Sequence, residues 1–359
     1  MLIVIILLAI AIRAFLFLTP AQSILQSRPE LSTPLTSWKS LQEGVFIYER
    51  GSDPYNGGVF HHSPSYLLIF SHLPNSPLFS ALTFIAVDLI TAWALLQIWV
   101  SRKLPINRSA IIAAAYLLNP YAIATCVAKS TSGIDNALIL LAIARAAHDH
   151  LDAAMLLALA AQSALYPIAL AYPLLSMLSK PLRGGLVFGV AFMAISGYAW
   201  FTLGPRWPTQ TWGTMPFFLG VFQLHNFIYL VPLCLRLGDN HLSQILILLG
   251  IFSTWKSYPQ LGDHAAWSAL LACFPELVSN LRHPLFTSSV HLYTIILLPL
   301  LHGLWLLTGA GNANFFYAAT MVYGLNASLA VVDALNAAIK SRLKVSIPDN
   351  WDIVQLTSL

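Results

Sequence analysis

The most concentrated polar and aromatic chemistry in the chain lies in residues 308–318, TGAGNANFFYA, where Asn312 and Asn314 precede Phe315, Phe316 and Tyr317. The stretch separates strongly apolar runs at about 286–307 and 315–338. Its amides are therefore expected at a membrane boundary, and its rings form an amphipathic shelf suited to the headgroup layer. Gly309 and Gly311 loosen the backbone between them. Two readings follow. Asn314 caps a helix beginning at Phe315 and is used up locally, which leaves Asn312 unassigned. Alternatively both amides meet a polar ligand, because irregular backbone at membrane depth survives only inside protein or beside a polar cavity.

Four further clusters carry polar groups inside or beside apolar runs, where burying them is costly. In residues 119–136, NPYAIATCVAKSTSGIDN, Asn119-Pro120 breaks a helix, and Lys129 and Asp135 are placed to pair or to meet an anion. In residues 255–263, WKSYPQLGD, Lys256 and Asp263 flank a proline-interrupted turn. In residues 162–167, QSALYP, Gln162 and Tyr166 are four apart, a helical spacing suited to interhelical hydrogen bonds. Residues 51–64, GSDPYNGGVFHHSP, read as a turn at Asp53-Pro54-Tyr55, and the adjacent His61 and His62 point apart rather than at one metal. No nucleophile stands at hydrogen-bonding spacing from a base, and nothing calls for a cofactor.

The elements that must hold these groups are membrane helices. Of 359 residues, 57% are hydrophobic and 9% charged, against about 25% charged in a soluble domain. The mean hydropathy is +0.71. A net charge of +4, dispersed along the chain, argues against nucleic acid as a partner. Cys126, Cys234 and Cys273 lie in apolar surroundings without CxxC spacing and read as small buried hydrophobes.

A first span covers residues 1–18, interrupted by Arg13 and expected to remain uncleaved. A long non-spanning loop, 19–77, has no excess of positive charge, whereas the next break carries Arg102, Lys103 and Arg108. By the positive-inside rule that break is cytosolic and the long loop lies on the opposite side. A multi-helix bundle then occupies 79–338, followed by a tail at 339–359. Simple parity puts Lys180 and Arg183 on the wrong side, so one segment between 109 and 178 is expected to be two half-spans or re-entrant. The fold class is thus an all-α polytopic membrane protein of about ten to twelve crossings, broken ones included.

Taken together, PLTSWK at 34–39, Asp53-Pro54-Tyr55 with His61 and Pro64, and the clusters at 119–136, 162–167, 255–263 and 308–318 resemble the PIG-U family, in the same order and over nearly the whole chain. That family is the multispanning subunit of the GPI transamidase of the endoplasmic reticulum. The resemblance implies a non-catalytic role in presenting the glycosylphosphatidylinositol lipid and holding the complex together. The catalytic cysteine then belongs to a caspase-like partner subunit. It makes Asn312 and Asn314, with Phe315, Phe316 and Tyr317, the candidate GPI contacts. Lys180 and Arg183 sit at the family's basic cytosolic turn and are assigned to phospholipid phosphates, each worth about 1 kcal/mol.

The family also looks like the GT-C glycosyltransferases in general plan, with many spans and a large first lumenal loop. That suggests the alternative of an enzyme using a dolichol-phosphate sugar. Glu43, Glu49 and Asp53 lie in the loop, but no Asp-x-Asp or Glu-x-Asp pair does. One departure stands out: between Leu203 and Phe217 only GPRWPTQTWGTM connects, where the family carries an aromatic-rich segment with an acidic residue. Either this form is naturally short or a piece is missing.

Overall fold

The computed structural model describes residues 1–213 and 219–346, so the end of the 204–215 connection, the start of the apolar segment at 216 and the tail beyond 346 lie outside the described residues. Among the described residues every regular element is helical. The first helix, α1 (Leu2–Phe17), is apolar apart from Arg13. The next long helix, α2 (Pro77–Ser101), follows three shorter helices of the loop and opens with Pro77 in its first turn and with Ser76 accepting from the Phe79 N–H. At 25 residues it is about 37 Å long, enough to cross the hydrocarbon.

Next come α3 (Ser109–Leu117) and α4 (Pro120–Val127), an apolar pair bent by 52° at Asn119-Pro120. The Asn119 side chain accepts from the Tyr121 N–H, taking the donor that would otherwise continue the ladder to the Leu117 carbonyl. After α5 (Ser132–Ala147) the chain turns through α6 (Asp152–Ala160), a 3-10 turn (Tyr166–Leu170) and α7 (Ala171–Leu175). The remaining long helices are α8 (Pro181–Leu203), α9 (His241–Trp255), α10 (Leu261–Ala272), α11 (Pro284–Leu306) and α12 (Ala313–Ser346).

Four of these, α2, α8, α11 and α12, are long and apolar enough to cross a membrane unaided, and the bent α3–α4 pair makes a fifth if it is one span. The other apolar segments are cut short of a full span by proline, polar turns or both. The all-helical polytopic class stands, with four or five candidate spans by length and composition.

Contacts between helix ends define two ends of the molecule. At one, Arg102 pairs with Glu276, the His148 ring meets the Gln97 carbonyl, and the Arg282 and His283 N–H groups donate to Asp333. At the other, the Leu261 N–H donates to the Glu30 carbonyl and Arg206 reaches Asp53. The α6–α7 segment leaves the first end and returns to it, since Asp149 accepts from the Ser179 N–H at 2.7 Å. With nine residues, α6 rises only about 13 Å before the chain turns back. This hairpin places Lys180 and Arg183 at the same end as Arg102, which removes the parity conflict in the sequence.

The bundle core is rich in small side chains. Ala142, Ala153, Ala154 and Ala158 are fully buried, which lets α5 and α6 approach closely. Gly250 serves the same purpose, because a Cβ there would sit 2.7 Å from the Trp267 indole nitrogen and from Val331. The loop before α2 is itself packed around Trp38, Tyr55 and Phe60, and Trp38 meets Phe84 of α2 edge-on at 5.5 Å.

Arg13 is the charged group buried deepest in the first span. It is 1% exposed and its Nε donates to Asp88 Oδ2 at 2.7 Å. Its Nη1 donates to the Leu117 carbonyl at 2.8 Å, the acceptor left over at the α3–α4 break. Tyr116 Oη donates to the second Asp88 oxygen at 3.1 Å. Breaking such a pair on one side costs about 3–5 kcal/mol. Arg13→Met or Asp88→Asn alone should therefore lower the unfolding midpoint in detergent sharply. The double variant should recover at least half of the loss, as read by thermal size-exclusion chromatography.

Candidate functional site

The turn after α11 is built by its glycines. Gly309 adopts φ +66°, the left-handed region that favours glycine. The Gly311 N–H donates to the Leu304 carbonyl at 2.9 Å, folding the turn back on the last turn of α11. A Cβ at Gly311 would stand 3.2 Å from that of Leu304. The Asn312 side chain then accepts from the Asn314 N–H at 2.9 Å. The capping residue is thus Asn312, and the helix begins at Ala313 rather than Phe315. This corrects the expectation that Asn314 caps. Both asparagines are exposed, together with Phe315 and Tyr317, and Asn314 is the one whose side chain is not used in the cap.

Phe316 turns inward, with its ring centroid 5.5 Å from that of His302 and 6.2 Å from that of Trp305. With Thr320 and Tyr323 it lines a cavity of about 280 Å³, faced across the gap by Glu30 and Gln260. One Glu30 carboxylate oxygen is buried there without a partner. Neither Glu30 nor Tyr323 was marked by sequence alone. A glutamate in a long polar loop looks solvated until the Glu30 carbonyl is seen to accept from Leu261.

Three of the sequence clusters meet in one buried polar node. Lys256 Nζ lies 2.8 Å from Asp263 Oδ1, with the two side chains 9% and 5% exposed. Asn136 Nδ2 donates to the same oxygen at 3.0 Å, and the Tyr166 hydroxyl is 3.4 Å from Lys256 Nζ. Asp263 Oδ2 accepts from the Gln260 N–H at 2.9 Å, closing the cap of α10. Gln260 in turn bonds Thr33 and Thr36 of the first loop and Ser130. Burial works against the lysine charge, but Asp263 and the nearby Tyr166 oxygen more than offset it, so the ammonium is held above its ordinary range. The node positions α10 against α5 and the first loop, and so shapes the floor of the cavity.

The suggested Lys129–Asp135 pair does not form. Lys129 Nζ donates to Ser80 Oγ at 2.7 Å, at the start of α2, while Asp135 accepts from the Tyr66 hydroxyl at 2.5 Å. The turn between α4 and α5 sends the two side chains in different directions. Gln162 follows the end of α6, so the helical spacing to Tyr166 is interrupted. Its interhelical role remains, since Ser196 of α8 donates to it at 3.2 Å. Lys180 and Arg183 are exposed at the first turn of α8.

In the first loop, Asp53 caps the turn by accepting from the Tyr55 N–H. His61 and His62 diverge, to the carbonyls of Gln210 and Ser37. Burial pushes His62 down to about 4, so its ring is neutral at pH 7. Glu43 and Glu49 are exposed on the Trp38–Glu49 helix. Among the described residues no three His, Cys, Asp or Glu side chains are grouped to hold a metal ion.

The chain matches the family model described as GPI transamidase subunit PIG-U over residues 7–203 and 215–323. It is 29% identical to the GPI-anchor transamidase component PIGU of Cricetulus griseus over 403 aligned positions, covering 92% of each chain. The Homo sapiens component of the same name is 28% identical, covering 94% of each. The GPI transamidase component GAB1 of Saccharomyces cerevisiae is 28% identical, covering 91% of each. The family match breaks at 204–214, within the connection that the sequence marks as short.

Replacing Lys256 by Met strands the Asp263 carboxylate in the node, at a cost of about 3–5 kcal/mol. We expect a large drop in the unfolding midpoint of Lys256→Met. The exposed pair of changes Lys180→Met and Arg183→Met should shift stability by no more than about 0.5 kcal/mol. Equal stability of the two variants in the same thermal assay would remove the node from its positioning role.

Proposed function

The chain belongs to the PIG-U family of GPI transamidase subunits, and on that premise we propose that it presents the GPI lipid within the transamidase without carrying out the chemistry itself. The observation that carries this reading is the 280 Å³ cavity lined by Phe316, Tyr323 and Glu30, at the start of the helix whose first turn exposes Asn314. A GPI headgroup is rich in hydroxyls, and a side-chain amide offers them both donors and an acceptor. Phe315 and Tyr317 add ring faces at the same level, and Glu30 adds an unpaired acceptor on the opposite wall. Asn312 contributes by starting the helix that aims Asn314.

In this reading the end carrying the first loop is lumenal and the membrane is that of the endoplasmic reticulum. The basic end, with Arg102, Lys180 and Arg183, faces the cytosol, where phospholipid phosphates would meet those charges. The partners are the caspase-like catalytic subunit and its companions. Support for a non-catalytic role comes from the first loop, where Asp53 is engaged in a cap and in an ion pair with Arg206.

Affinity purification of the tagged chain from mild detergent, with mass spectrometry of proteins and lipids, tests the proposal. Recovery of a caspase-like subunit and of GPI is expected, and recovery of the chain alone would overturn it. Asn314→Leu should lower co-purified GPI several-fold with the subunits still recovered, since each lost hydrogen bond is worth about 0.5–1.5 kcal/mol. Asn312→Leu is the less clean test, because it also removes a cap worth about 1 kcal/mol.

A further inference from the structure

A second cavity, of about 500 Å³, lies deeper in the bundle, between the α3–α4 break and helices α10, α11 and α12. Its walls are mostly apolar, with Leu118, Leu271 and Leu292 among them. One wall is polar. The His264 and His291 rings stack with centroids 4.0 Å apart, and Tyr121 meets His291 edge-on at 5.5 Å. Asn326, from α12, completes the wall.

Several polar atoms on this wall have no partner. His264 is 8% exposed and Asn326 3% exposed. His264 Nδ1, His291 Nε2 and Asn326 Oδ1 are all buried and unbonded. Asn326 Nδ2 donates to the Thr287 carbonyl at 2.8 Å, which fixes the amide and leaves its oxygen as the atom in need of a donor. Buried groups in this state each cost about 1–3 kcal/mol. All three residues line the same cavity, and their unmet hydrogen-bonding capacity there points to a ligand.

The chemistry selects that ligand. No lysine or arginine lines the cavity, and the acid among its lining residues is Asp333, whose oxygens accept from the Arg282 and His283 N–H groups. An anionic phosphate therefore finds no counter-charge and one like charge. An ester carbonyl cannot donate to Asn326 Oδ1. An ammonium would sit among apolar walls beside a carboxylate already engaged. A hydroxyl has both a donor for Asn326 Oδ1 and an acceptor for an imidazole N–H. We propose that this cavity binds the hydroxyl of a neutral membrane lipid, of the sterol or diacylglycerol class, with its apolar body along Leu118 and Leu292.

This cavity adjoins the 280 Å³ one through Tyr323, whose ring centroid lies 5.1 Å from that of His291, but it is distant from the Asn312–Asn314 turn. Asn326 is 13 residues beyond the start of α12, so it lies about 20 Å below the Asn312 turn.

The test uses the intact complex in phosphatidylcholine nanodiscs doped with diazirine-bearing cholesterol, diacylglycerol or phosphatidylserine. After illumination, labelled peptides are mapped by mass spectrometry. One of the two neutral probes should label peptides carrying His264, His291 or Asn326 at least about fivefold more than phosphatidylserine, and which of the two does so identifies the class. Asn326→Leu should reduce that labelling about fivefold, in line with one lost hydrogen bond. Ala330→Phe, which fills the cavity without removing a polar group, should reduce it at least as much, with labelling elsewhere unchanged. Asn314→Leu should leave it unaltered, so the two sites can fail independently. Absence of label on these peptides, equal labelling by phosphatidylserine, or full labelling in Ala330→Phe would overturn the assignment.

Discussion

Polar groups in the interior of this protein have no water to turn to, and their need for one another fixes the helix arrangement. Arg13 shows this most directly. Alone in an apolar helix it would be intolerable, yet its guanidinium meets Asp88 from α2 and the carbonyl of Leu117 from α3. One side chain thereby offsets an acid in α2 and the broken backbone after α3. The Lys256–Asp263 node does the same nearer the loop end, joining α5, α10 and the turn after α9. Apolar packing would allow these helices to slide past one another, since lipid tails are as apolar as leucine. The buried pairs remove that freedom, at the expense of strict demands on every partner.

How much of this was legible in the sequence depended on whether the partner was local. For Lys256 and Asp263 the sequence left pairing, headgroup contact and anchoring open, and the cap of α10 decides for the pair across a short turn. Lys129 and Asp135 are closer still in sequence, but Ser80 and Tyr66 arrive from elsewhere in the chain and take them separately. Arg13 was visible as an interruption, while its partner lies 75 residues away. In the 308–318 turn a cap at Asn314 was one of two open readings, and the cap falls on Asn312 because the helix starts two residues earlier than the aromatic run suggests. His264, His291 and Asn326 each sit alone in an apolar run. Only the convergence of three helices makes them a group.

The count of spans illustrates a related limit. Hydropathy identifies apolar segments but not whether each one crosses. Residues 152–175 form a hairpin that turns at Gln162, a residue fully buried and bonded from two sides. The polarity of Gln162 and the ring of Pro167 were both visible as a break. That the break reverses the chain became clear only from the bond between Asp149 and Ser179.

The hairpin also ties the loop end to the interior of the bundle. The Trp212 indole donates to the Gln162 carbonyl at its tip, and the Tyr166 hydroxyl reaches Lys256 in the polar node. A segment that does not pass through the bundle thereby couples the connection after α8 to the turn after α9.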